Sequence, residues 1–220
     1  MRVTRTLQNA VLASLCAVLA LPAQAATNLL ANASFEAPNI QSDYAYYNAG
    51  STAIAGWTVV GGQIQLTSYV SGLNASVGLQ WIDMTGVTGY GKGLQSDAVA
   101  TVLGQQYTLS FDLGNYVPFG TSTLSVSINN GPATLFTNMV NGSGPMDWEG
   151  QSLTWVADAT SAQITFLGVA SGNLSNDLGI GLDNVVFSAT PVPEPSTYAM
   201  LLAGLGLVGF AVRRRAASSF

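Results

Sequence analysis

From Tyr107 to Leu113 apolar and polar residues alternate without a break, Tyr107-Thr108-Leu109-Ser110-Phe111-Asp112-Leu113. That run constrains the fold more than any other in the chain. A period of two sends one set of side chains to a buried face and the other to a wet one, which is strand geometry. Leu124-Ser125-Val126-Ser127-Ile128 repeats the pattern and stops at Asn129-Asn130-Gly131, a turn sequence. Further short runs of strand character fall at 56–60, 63–67, 78–84, 151–156, 163–169 and 182–188, and no stretch between 26 and 190 has a helical period. Short strands separated by Gly/Asn-rich turns predict an all-β domain, a sandwich of the jelly-roll kind, over 26–188. Residues 39–53, 138–150 and 170–179 read as loops, the first bearing Tyr44, Tyr46 and Tyr47.

The two ends have a different character. Arg2 and Arg5, the apolar stretch from Ala10 to Leu21 and the small-x-small Ala23-Gln24-Ala25 are the three parts of a secretory signal peptide, 1–25, with cleavage between Ala25 and Ala26. At the other end a proline-rich linker, 189–197, contains Val192-Pro193-Glu194-Pro195 and leads into an apolar stretch, 198–212, and a basic tail, 213–220. An apolar run of roughly 15–17 residues is at the short edge of the ~17–25 that span a bilayer. Arg213, Arg214 and Arg215 directly after it belong on the cytoplasmic side. The expectation is one C-terminal transmembrane helix that holds an exported domain outside the cytoplasm. Pro193 and Pro195 keep the segment before it extended, in a form that a protease cleft can bind.

Five of the six basic residues sit in those end segments, which leaves Lys92 as the only base between 26 and 190 against ten acids, a net charge of −9 there. Such a surface disfavours nucleic acid and anionic lipid headgroups. The chain has no histidine, and its one cysteine, Cys16, lies in the signal segment, so no disulfide staples the exported domain. The same absences rule out Ser-His-Asp, Cys-His and histidine–metal sites in that domain.

Pro-Glu-Pro, a short glycine-bearing apolar helix and an arginine cluster, in that order and paired with an N-terminal signal, resemble the bacterial PEP-CTERM sorting signal. That resemblance implies recognition and cutting near the motif by an exosortase-type membrane protease. It also implies transient residence in the inner membrane, then delivery to the cell surface or to an exopolysaccharide-bearing biofilm matrix.

A second resemblance covers the domain. Asn28-Leu29-Leu30-Ala31-Asn32-Ala33-Ser34-Phe35-Glu36 looks like the opening of galactose-binding-like jelly rolls, a group that includes carbohydrate-binding modules and related domains of unknown function. Gly56-Trp57, Gln80-Trp81-Ile82-Asp83-Met84-Thr85-Gly86, the segment from Gly104 to Asp112 and Leu182-Asp183-Asn184-Val185 follow in the same order. Ala33, where the pattern prefers glycine, and Trp81 beside Asp83 depart from it. In many such modules a structural Ca²⁺ joins the first and last strands, and the resemblance places its carboxylates at Glu36 and Asp183. Read from the residues alone, Glu36 equally caps a turn and Asp183 equally sits in a bend. A calcium shell wants six to eight oxygens, more than two carboxylates supply.

The residues favour binding over catalysis. Carboxylate pairs for glycoside hydrolysis, Asp147 with Glu149 or Asp83 with Asp112, read as readily as solvated positions, and Lys92 between Gly91 and Gly93 reads as a loop tip. Sugar sites pair an aromatic platform with polar side chains. Trp57, Trp155, Tyr107 and Phe111 fall in strand patterns and belong to the core, while Tyr44, Tyr46, Tyr47 and Trp81 are the leading ligand-binding candidates, with Tyr90, Tyr116 and Trp148 behind them. A purely structural envelope protein without a discrete ligand, or a glycan-active hydrolase, are the alternatives.

Overall fold

A computed structural model describes residues 27–86, 91–116, 121–140, 146–171, 179–191 and 195–217. Two antiparallel sheets face one another. The larger has six strands in the order β1 (Tyr44–Tyr47), β3 (Ile64–Ser68), β4 (Gln80–Asp83), β13 (Ile180–Ala189), β7 (Gln106–Tyr116) and β10 (Met146–Val156). The smaller has five, β2 (Trp57–Val60), β5 (Gly93–Ser96), β12 (Ile164–Ser171), β8 (Ser122–Ile128) and β9 (Thr134–Asn138). A two-residue ladder pairs β6 (Val99–Ala100) with β11 (Ser161–Ala162). The chain passes back and forth between the two large sheets, and this repeated crossing makes the sandwich a jelly roll.

The period-two runs do what their pattern dictates. Tyr107, Leu109, Phe111 and Leu113 from β7 and Leu124, Val126 and Ile128 from β8 turn inward to Trp57, Phe166 and Phe187. Phe111 meets Phe166 edge to face at 5.3 Å. Burying each such side chain contributes about 1.5–3 kcal/mol. Trp57, Tyr107 and Phe111 are core as expected, and Trp155 packs against the core from its margin.

The opening segment is sewn to the last strand. Leu29 N–H donates to Phe187 O (2.8 Å), Asn28 Nδ2 to Val185 O (2.9 Å), and Phe187 N–H to Asn28 Oδ1 (2.9 Å). Val185 N–H adds a bond to Ala33 O (2.9 Å). The join between first and last segments is thus made by backbone groups and one asparagine.

Several boundaries differ from the sequence reading. The loop expected over 39–53 contains β1, because Tyr-Ala-Tyr-Tyr alternates over too few residues to stand out yet finds a partner in β3. β5 and β9 were not anticipated either. β10 begins at Met146, inside the loop expected over 138–150, and β12 runs to Ser171, inside the one expected over 170–179. Helix α1 (Pro195–Ala217) starts within the expected linker, with Pro195 at a first position where its missing N–H is no loss, and continues through Arg213–Arg215. Among the described residues no helix is long and apolar enough to cross a membrane. At 1.5 Å per residue the apolar part from Tyr198 to Val212 rises about 22 Å, short of a ~30 Å hydrocarbon core. The signal segment with Ala23, Ala25 and Ala26, and Val192, Pro193 and Glu194 of the sorting motif, lie outside the described residues.

Candidate functional site

Cross-strand register on the outer face of the six-stranded sheet brings most of the candidate residues together. Directly opposed residues share a face. One row runs Tyr46, Gln65, Asp83, Gly181, Gly114, Trp148, and the next begins Tyr44, Thr67, Trp81. The same face has a covered half and an open half.

The segment 73–80 covers the half over β4, β13 and β7, and polar side chains hold it there. Trp81 Nε1 donates to Leu73 O (3.2 Å) and Trp148 Nε1 to Asn74 O (3.0 Å). Ser76 donates its hydroxyl to Asp112 Oδ2, and Val77 N–H donates to Asp183 Oδ2 (2.9 Å). Glu36 Oε1 accepts from Leu79 N–H (2.8 Å) and Gln80 N–H (3.0 Å). The indoles of Trp81 and Trp148 meet edge to face at 5.8 Å. Trp148 lies over Gly114 and Gly181, where an added Cβ would come within 2.8 Å of its ring, so glycine at both positions is what lets the indole down onto the sheet.

This arrangement corrects two expectations and shows what Glu36 and Asp183 bond. Trp81, expected in a binding surface, is 0% exposed and serves as a support for the strap. Asp112, expected on an open wet face, lies under the strap, bonded to Ser76 and to Asn184 Nδ2 (3.0 Å). Glu36 and Asp183 both grip the strap's backbone: Asp183 also accepts from Asn184 N–H through Oδ1 (2.7 Å). Their oxygens face N–H donors, where a calcium ion needs a shell of oxygens. Among the described residues no three acid, histidine or cysteine side chains gather as a metal site. Burial pushes Asp183 up from 3.8 to about 7, opposed by its backbone hydrogen bonds and assisted by the neighbouring Asp112 charge.

The strap does not cross the half over β1 and β3, where the rings on β1 are exposed while Gln65 and Thr67 beneath them on β3 are 3% and 0% exposed. Tyr44 and Tyr46, two residues apart on an edge strand, are 48% and 40% exposed, and their rings sit 5.2 Å apart with planes at 56°. They line a groove of about 280 Å³ together with Asp43. Gln65 and Thr67 line it from β3, and Gln65 Nε2 fixes Thr67 Oγ1 at 2.9 Å. Ser71, Leu73 and Tyr116 line it as well. Tyr47 does not join them: alternation turns it to the opposite face, where it packs on the core and burial raises its pKa. Tyr90 lies outside the described residues. Sequence reasoning missed Asp43, Gln65, Thr67, Ser71 and Leu73. Gln65 and Thr67 alternate with Ile64 and Leu66, which was a signal, but nothing in the sequence said which strand would lie beside them.

Lys92 is not a loop tip. It is 4% exposed, its ammonium donates to Thr85 O (2.9 Å), and its charge couples to Asp83 at the end of β4. Desolvation lowers its pKa and Asp83 pulls it back up. Asp83 is itself buried and accepts from Thr85 N–H (2.8 Å) and Thr85 Oγ1 (2.6 Å). Asp147 and Glu149 lie on β10, in a strand and not in the expected loop. Among the described residues the groove lining contains one carboxylate, Asp43.

Residues 28–186 match the family described as a protein of unknown function, DUF642, and residues 191–215 match the PEP-CTERM protein-sorting motif. Halomucin of Haloquadratum walsbyi is 29% identical over 174 residues that cover 75% of this chain, and the match spans 2% of halomucin's length. Similar solved structures include TmCBM61 in complex with β-1,4-galactotriose, at 17% identity and a TM-score of 0.44, covering 74% of this chain and 99% of the module. Another is a family 35 carbohydrate-binding module from Clostridium thermocellum, at 15% identity and a TM-score of 0.43, covering 66% and 98%.

Proposed function

The chain belongs to the DUF642 family and ends in a PEP-CTERM sorting motif, and from that premise we propose that it is an exported, non-catalytic glycan-binding protein of the cell surface. The groove beside Tyr44 and Tyr46 carries this reading: two exposed tyrosine rings line it together with the accessible polar side chains of Asp43 and Ser71, the pairing that stacks on a sugar ring and bonds its hydroxyls. The ligand in this reading is exopolysaccharide of the host's own surface or matrix.

Sorting follows from the tail. An exosortase-type protease would cut near Pro193-Glu194-Pro195, after α1 and Arg213–Arg215 have held the chain transiently at the inner membrane. A helix with a short apolar segment suits a temporary hold better than a permanent one.

Two measurements test the proposal. Intact mass of the protein from host cells with and without the membrane protease should show loss of the residues beyond about Pro195 only when the protease is present. A full-length tail in both strains refutes the sorting half. Retention on the host's extracellular polysaccharide should fall at least about tenfold when Tyr44→Ala and Tyr46→Ala are combined, a loss of about 1.4 kcal/mol. No retention of the wild-type protein would favour a purely structural envelope protein, and retention unchanged by that pair would move the site away from this groove.

A further inference from the structure

We infer that the Tyr44–Tyr46 groove takes a single, electrically neutral glycan chain and rejects uronic-acid or sulfated chains; this rests on the glycan-binding reading above. The first support is where the positive charge went. Between 26 and 190 the chain has ten acids and one base, and that base, Lys92, is 4% exposed and directed inward at Thr85 and Asp83. The domain therefore presents its surface without an accessible side-chain cation of its own. An acidic polymer approaching it meets a net charge of −9 and no accessible side-chain cation to pair with.

The groove repeats this locally. Among the described residues its one carboxylate is Asp43, and the other polar side chains Gln65, Thr67 and Ser71 are uncharged. A carboxylate accepts hydrogen bonds and so suits hydroxyl donors, while another carboxylate or a sulfate in its place is repelled. Two like charges in contact oppose one another even in bulk water, and more strongly beside a protein surface.

Ring geometry sets the form of the chain. Tyr44 and Tyr46 present planes at 56°, so the two rings cannot both lie on one flat surface. They can contact successive sugar rings of a chain that twists. A soluble single strand fits, and the face of a crystalline polymer does not.

The test uses the full-length protein in affinity electrophoresis against β-1,4-galactan, β-1,4-mannan and dextran as neutral probes. Alginate and polygalacturonate serve as acidic probes, and pull-down on crystalline cellulose as the flat one. At least one neutral chain should retard the protein, and the Tyr44→Ala/Tyr46→Ala pair should weaken that at least about tenfold with an unchanged unfolding temperature. The acidic probes should not retard it even at low salt, and Asp43→Lys should move it toward retention on alginate. Retention on alginate or polygalacturonate equal to or stronger than on the neutral chains overturns the neutral class and leaves the glycan reading standing. Binding to crystalline cellulose with no soluble ligand overturns the single-chain form. Retention that the tyrosine pair does not alter removes the site from this groove. Retention on none of the six takes down the glycan-binding reading itself.

Discussion

The two halves of the outer sheet face are built from the same materials and behave in opposite ways. Over β4, β13 and β7, aromatic rings and carboxylates are covered: two indoles and three acids hold the strap 73–80 by its carbonyls, N–H groups and one hydroxyl. Over β1 and β3, tyrosines and an acid of similar character stand open around a groove. Tyr44 and Trp81 lie in one cross-strand row, with only Thr67 between them. What separates a buried support from an exposed platform is whether a loop passes overhead. The strap also serves the groove, because Leu73 at its start lines it, with Ser71 just before the strap.

The largest expected effect breaks the comparison by exchanging its two roles. Trp81→Ala removes a fully buried indole that holds Leu73, and large-to-small changes at such sites cost about 3–5 kcal/mol. Tyr44→Ala and Tyr46→Ala, at half-exposed edge positions, should each cost less than about 1 kcal/mol in stability while weakening retention on glycan. Thermal unfolding of the three variants beside binding gives both readings. A Trp81→Ala protein of normal stability with impaired binding would return Trp81 to the binding surface and dissolve the contrast.

Much of the sandwich was legible because period-two patterning is a local signal. The strands around Leu109, Val126 and Phe187 declare their buried faces in their own sequence. β1 and β9 did not, because four or five residues carry too few alternations, and β1 exists by virtue of pairing with β3. The candidate site was half legible for the same reason. Tyr44 and Tyr46 announced themselves as aromatics in a polar stretch. Tyr47, Trp81 and Lys92 were misread because their exposure depends on partners far along the chain: the core for Tyr47, the strap for Trp81, and Thr85 and Asp83 for Lys92. Glu36 and Asp183 were expected as calcium ligands; both accept backbone N–H bonds from the same segment, which their separation of 147 positions in the chain did not reveal.

Lys92 sharpens the comparison next. Lys92→Met keeps the stem and deletes the ammonium, leaving Asp83 buried without the charge that couples to it. Removing one partner of a buried pair costs roughly 3 kcal/mol or more. Urea denaturation should show that loss, and Asp83→Asn combined with Lys92→Met should recover part of it. Little loss in the single variant would mean that the base is structurally idle and that its burial needs another reason.

A smaller effect is the pH dependence of the covered half. Asp183 titrates near 7 in the folded protein against 3.8 ordinarily, so between those values the folded state holds a proton that the unfolded chain has released. Stability from this group is therefore full below about pH 4, falls as pH rises toward 7, and is flat beyond. At about 1.4 kcal/mol per pH unit the ceiling is roughly 4 kcal/mol. The groups facing it are Asp112, Ser76, Val77 and Asn184. Other acids add their own slopes, so the test compares wild type with Asp183→Asn at pH 5 and pH 8: the variant should lose the fall. An identical pH profile in both would remove Asp183 as its source.

The smallest expected effect is none at all. If carboxylates hold the strap by accepting N–H bonds, and Asn28 with the backbone joins first and last segments, the fold has no place in which calcium is required. Excess chelator should leave the unfolding temperature where it was, and millimolar calcium should not raise it. A ligand at a hundred times its dissociation constant would add about 2.7 kcal/mol, several degrees in a domain of this size, which is easily seen. A rise of that kind, abolished by Glu36→Gln or Asp183→Asn, would mean that the strap opens to admit the ion. The covered half would then be the more adaptable of the two, reversing the contrast from which these tests start.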